Sequence, residues 1–167
     1  GITSVLFLVL SGMSLAGGSA ALTCVVGGKT YVATVTGAGV IPGTGGDDVI
    51  RGSNGADTIT GLGGDDVICG RGGADSIDGG AGADLISGDS NSDSILGGTE
   101  IDEIYGGTEN DRIDSGDGYD DIFGEAGNDT LTGGNQDDYA YGGDGNDKLF
   151  GKSGDDHLWG GTGDDYL

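Results

Sequence analysis

An aspartate recurs every nine residues along most of this chain: Asp48, Asp57, Asp66, Asp75, Asp84, Asp93, Asp102, Asp111, Asp120, Asp129, Asp138, Asp147, Asp156 and Asp165. Two residues after each stands an apolar side chain, from Ile50 and Ile59 through Ile122 to Leu131, Ala140, Leu149, Leu158 and Leu167. Five residues before each stands glycine, with Ser115 the one exception. The fourth position of the nonad is also mostly glycine, the departures being Asn91, Glu100, Glu109 and Gln136. Glycines at positions one and four let the backbone turn in left-handed conformations and direct carbonyls inward. The aspartate at position six adds a carboxylate to the same turn. Carbonyl and carboxylate oxygens are hard ligands that suit Ca²⁺ with its flexible shell of six to eight oxygens, and suit the strict octahedron of Mg²⁺ less well.

Each nonad must therefore hold a turn and a short strand. The three residues after the aspartate read as that strand, the middle one facing in and its flanks facing out. A fixed short period implies a solenoid in which each repeat packs on its neighbours.

Composition makes the ion a physical necessity. The 167-residue chain carries a formal charge of −23 and has 41 glycines and one proline. Residues 1–42 contain one lysine and no acid, so the repeats from Gly43 to Leu167 carry five bases and 29 acids, or 5 − 29 = −24. Leu, Ile, Val and Phe make up 21 of those 125 residues, a fraction at which a highly charged chain stays disordered unless something neutralises it. The same charge excludes nucleic acid as a direct partner and disfavours an anionic membrane. A glycine period of nine excludes collagen.

The chain divides into three parts. Residues 1–21 open with an apolar run and end in small residues, which reads as a secretory signal peptide, or else as a hydrophobic arm that docks on a neighbouring subunit. Residues 22–42 form an N-terminal β cap and junction. In it Leu22–Val26, the Gly27-Gly28 turn and Lys29–Thr36 read as a hairpin, placed to cover the open first coil. Ile41 falls in the apolar slot of a degenerate nonad. Residues 43–167 are the repeats. Cys24 and Cys69, the two cysteines, suggest one disulfide stapling cap to repeats, against two separate thiols. Tyr105, Phe123, Tyr141 and Trp159 share the outward ninth position of odd-numbered nonads and form a stripe, either as plain cross-strand packing or as a contact surface. His157 stands alone, with no nucleophile-base pair, so no catalytic residue is assigned. The sequon at Asn128 coincides with a ligand position, Asp129, and reads as chance.

The nonad resembles the RTX (repeats-in-toxin) motif G-G-x-G-x-D-x-U-x, most fully at Gly79–Ile86 and Gly142–Leu149. The layout is similar to that of small exported bacterial calcium-binding proteins of this family. The resemblance implies an all-β fold, a right-handed parallel β-roll of about seven coils with two nonads to a coil. Ile50, Ile68, Ile86, Ile104, Ile122, Ala140 and Leu158 would line one sheet, and Ile59, Ile77, Ile95, Ile113, Leu131, Leu149 and Leu167 the other. Each Ca²⁺ would sit between the turns of nonads two apart, which allows at most 14 − 2 = 12 ions, with the weakest sites around Asn91, Glu100 and Glu109. It further implies a secreted or cell-surface calcium-binding protein, not an enzyme, whose repeats fold as they bind the metal. It would have a structural, filament-forming or interaction role and no membrane association in the mature form. The alternative is the calcium-dependent repeat portion of a larger secreted toxin or hydrolase.

Overall fold

A computed structural model describes residues 22–167; the expected signal peptide or arm at 1–21 lies outside the described residues. The strands are, in order, β1 (Thr23–Val26), β2 (Lys29–Val32), β3 (Val35–Thr36), β4 (Val40–Pro42), β5 (Val49–Arg51), β6 (Thr58–Gly63), β7 (Val67–Gly72), β8 (Ser76–Ala81) and β9 (Leu85–Ser90). They continue as β10 (Ser94–Thr99), β11 (Glu103–Thr108), β12 (Arg112–Asp117), β13 (Asp121–Ala126), β14 (Thr130–Asn135), β15 (Tyr139–Asp144), β16 (Lys148–Ser153) and β17 (His157–Thr162). From β3 onward each strand pairs in parallel with the strand two along, so odd strands build an eight-stranded sheet and even strands a seven-stranded one. This is the β-roll, about seven coils of two nonads each.

Register follows the sequence period. Ile50 pairs with Ile68, Ile68 with Ile86, Ile86 with Ile104 and Ile104 with Ile122 in one sheet. Ile59, Ile77, Ile95, Ile113, Leu131 and Leu149 follow one another in the other. These two columns face each other as a single core, and Ile50 through Ile122 in the first column are fully buried. A strand slipped by one residue would turn its core residue to solvent, so the alternation fixes the register. Ile41 pairs with Ile59 and is buried, extending the core one half-coil ahead of Gly43. At the far end Leu158 is partly buried and Leu167 is 57% exposed, so the second column effectively ends at Leu149.

Two local details differ from the sequence reading. From β6 onward the strands are six residues long rather than three. Each runs through positions seven to nine, bends at the first-position glycine, and pairs again at positions two and three, as Leu96 and then Gly98 do on β10. Thr36 also leaves the hairpin: Val35 and Thr36 pair with Ile50 and Arg51.

The hairpin itself is present, antiparallel between β1 and β2, with positive φ at both Gly27 and Gly28 as a two-residue primed turn requires. It lies on the flank of the roll, not across its end. Cys24 and Val26 are buried against Val49, Val67, Leu85 and Tyr105 on the outer face of the eight-stranded sheet. Three aliphatic side chains at outward position seven would otherwise leave an apolar patch in water. The Cys24–Cys69 disulfide, with Cα atoms 5.7 Å apart, fastens β1 to β7.

Two outcomes follow from this packing. Ile104→Ala, a truncation at a fully buried position, should cost about 2–5 kcal/mol in urea unfolding with calcium present. Replacing both cysteines by serine opens a loop that spans 45 residues and should cost about 4 kcal/mol on the chain-entropy model in the same assay.

Candidate metal centre

The aspartates form two continuous ladders. From Asp66 onward the Oδ1 of each accepts a hydrogen bond from the backbone N–H of the aspartate 18 residues earlier, from Asp48 to Asp66 at 2.7 Å through to Asp147 to Asp165 at 2.9 Å. Twelve such links join nonads two apart. The other oxygen, Oδ2, is buried and has no hydrogen-bond partner in ten of them: Asp66, Asp75, Asp84, Asp93, Asp102, Asp111, Asp120, Asp129, Asp138 and Asp147. Ten buried carboxylate oxygens without a hydrogen-bond partner are the strongest chemical signal among the described residues, since a buried charge without a partner is severely destabilising.

The first-position glycine keeps the space around Oδ2 open. These glycines do not have positive φ; position two does from Leu62 onward, and position four does from Gly64 onward except at Gly118, which corrects the role expected for position one. At Gly97 a Cβ would stand 2.5 Å from Asp102 Oδ2 and 2.5 Å from the carbonyl oxygen of Ser115 in the next coil. At Gly52 the corresponding distances, to Asp57 Oδ2 and the Gly70 carbonyl oxygen, are 2.9 and 2.5 Å. Each gap thus gathers a carboxylate oxygen and a backbone carbonyl oxygen that have no room for a side chain between them. Among the described residues no three His, Cys, Asp or Glu side chains converge on one point, so remaining ligands would be backbone oxygens. An all-oxygen set of carboxylates and carbonyls fits Ca²⁺ and excludes a zinc-type site.

The protonation balance points the same way. Burial is the main cause of a raised pKa along the ladder, partly offset by the N–H bond to Oδ1 and reinforced by neighbouring aspartates. It lifts Asp66, Asp75, Asp129 and Asp138 to about 6, Asp84 and Asp111 to about 7, and Asp93 and Asp102 to about 8. The metal-free fold therefore favours the uncharged acid in mid-ladder.

The ladder is not uniform. Asp48 and Asp57 carry no orphan oxygen, because Thr44 and Ser53 donate to their Oδ2 through N–H at 2.7 Å and hydroxyl at 2.9 Å in both cases. At Asp57 burial raises the pKa, but the bonds from Ser53 and Gly39 outweigh it and leave the group below its usual value. Sequence reasoning missed these two residues, although a hydroxyl at position two occurs in the first two nonads alone. Asp156 and Asp165 are partly exposed. Ser115, the exception at position one, is fully buried and its Oγ donates to the Gly133 carbonyl at 2.6 Å, so at that step a hydroxyl engages the carbonyl left free elsewhere. Asn91, Glu100, Glu109 and Gln136 keep the left-handed φ of their glycine counterparts, at 77°, 82°, 77° and 76°. Holding each there costs about 1–2 kcal/mol.

Two tests discriminate this geometry. Gly142→Ala drives a methyl into the gap, 2.5 Å from the Gly160 carbonyl, and should abolish one calcium site in a stoichiometric titration. Gly45→Ala, where nothing lies within 4 Å, should abolish none. The raised pKa values mean that proton and calcium compete for the same carboxylates. The apparent calcium affinity should therefore fall as pH drops from about 9 through the 6–8 range to about 5, read from a calcium titration at each pH.

Comparison with known proteins points to the same metal. The family described as RTX calcium-binding nonapeptide repeat (4 copies) matches residues 42–77, 70–104, 87–122, 105–140, 118–149 and 141–167. No curated protein matches the sequence as a relative. With matches running from residue 42 to residue 167, the chain belongs to the RTX calcium-binding nonapeptide-repeat family, and its turns bind Ca²⁺.

Proposed function

We propose that this is an exported calcium-binding structural or interaction protein whose repeats fold only when they take up the metal. The observation that carries the reading is the set of ten buried carboxylate oxygens without a partner. A ladder of that kind repels itself until divalent cations enter, so binding energy becomes folding energy. The repeat roll is a calcium-binding fold and not a catalytic family. The Cys24–Cys69 disulfide supports an oxidising, extracellular setting, and the secretory reading of residues 1–21 supports export. Extracellular calcium is millimolar, and sites with Kd of about 10⁻⁴–10⁻³ M would fill there while staying empty in the cytosol. On this reading Asn91, Glu100 and Glu109 mark the weakest sites, because there three successive turns are held against backbone strain.

Far-UV circular dichroism of the chain, titrated from chelator into millimolar calcium, tests the coupling. A coil-to-β transition with calcium and none with equimolar magnesium is the expected result. A spectrum already β-rich in chelator would refute folding on metal uptake.

A further inference from the structure

The hairpin covers only the first half of the outer face of the eight-stranded sheet. Beyond Tyr105 that face continues uncovered across β13, β15 and β17 and bears the aromatic stripe. Tyr105, Phe123, Tyr141 and Trp159 lie in one cross-strand row. In-register rings ordinarily stack down such a row, and Tyr105 and Phe123 do so, with centroids 5.0 Å apart and planes within 16°. At the other end Tyr139 stacks on His157 at 4.8 Å and on Trp159 at 6.0 Å. Between these two stacks the row is open, leaving a groove of about 440 Å³ walled by Phe123, Tyr139, Tyr141 and Trp159, with Asp121 at its edge. Tyr139, Tyr141 and Trp159 remain 49%, 44% and 50% exposed.

The charge around this groove is one-sided. Strands β11, β13 and β15 carry Glu103, Asp121, Glu125 and Asp144 and no lysine or arginine. None of the four belongs to the calcium ladder, so filling the ladder leaves them uncompensated. Ring faces attract cations through their quadrupole, and several rings with a carboxylate nearby recognise an ammonium group whose own hydration is weak. A phosphate or carboxylate on the ligand would meet those four acids, which disfavours phosphocholine headgroups and zwitterions. We propose that the groove binds a free organic cation of the quaternary alkylammonium class, its methyl groups against Phe123, Tyr139, Tyr141 and Trp159 and its charge balanced by Asp121.

Trp159 is the chain's single tryptophan, so its fluorescence reports on the groove directly. The calcium-loaded protein is titrated at constant ionic strength with choline chloride and, separately, with 3,3-dimethyl-1-butanol, the uncharged isostere of choline. Choline should give a saturable change, and the isostere a response at least roughly tenfold weaker. Tyr141→Ala and Asp121→Asn should each weaken choline binding by a similar factor. Phe150→Leu, on the opposite sheet, should leave it unchanged. Phosphatidylcholine vesicles should not bind. Equal binding of the isostere would reduce the groove to an apolar surface and overturn the proposal. So would a response to a neutral oligosaccharide or to vesicles with none to choline. The wild-type comparison decides the matter even where a variant fails to fold.

Discussion

Carboxylates stacked one strand spacing apart repel one another, and the whole molecule is arranged around that repulsion. At about 4.8 Å and an effective dielectric near 20, two adjacent charges cost about 3 kcal/mol. Twelve ladder links multiply this well past the roughly 5–15 kcal/mol that holds a domain together. Hydrogen bonding from the peptide N–H satisfies Oδ1 and fixes the carboxylate's direction, but it leaves Oδ2 bare. Only two remedies exist within the gap, a proton or a metal ion. Burial favours the first in mid-ladder wherever the metal is lacking, by raising the carboxylate pKa values. The donor set provides for the second, which alone operates with every group ionised.

The remainder of the fold keeps that column straight. A period of nine with two nonads per coil gives every residue the same neighbour 18 positions away, so isoleucine meets isoleucine, and aspartate meets aspartate. First-position glycines keep side chains out of the space beside each Oδ2. The hairpin and its disulfide brace one flank and bury the aliphatic outer face of β5, β7 and β9. Because each coil touches only its neighbours, local irregularities such as Ser115 or Glu100 alter one step without disturbing the register. Thr44 and Ser53 satisfy the Oδ2 of Asp48 and Asp57 with their hydroxyls, which gives the ladder a beginning.

Much of this was legible in the sequence because one rule generates it. The nine-residue period implied a solenoid, the resemblance to the RTX motif implied the roll, its two isoleucine columns and the pairing of aspartates two nonads apart, and the lone pair of cysteines suggested the disulfide. What the sequence concealed depended on which face of a residue meets which neighbour. First-position glycine looked like a turn residue, yet its reason is a forbidden Cβ contact with Asp Oδ2 and a carbonyl in the next coil. Left-handed backbone at position two was hidden because Leu62, Arg71, Asp89, Glu125 and Lys152 adopt it without being glycine. The hairpin's seat on the flank follows from Val49, Val67 and Leu85 all facing outward, a patch that only three-dimensional stacking assembles. Thr44 and Ser53 carried a readable signal, a hydroxyl four residues before the aspartate.

The most direct test counts the ions. Native mass spectrometry of the folded protein in calcium should find about ten Ca²⁺ per chain, one for each orphan Oδ2, with the mass of the complex showing the protons that the ions displace. A folded chain that retains no calcium, or only one or two ions, would contradict the account. The carboxylates would then be buried as acids, and the metal would not be what holds the roll together.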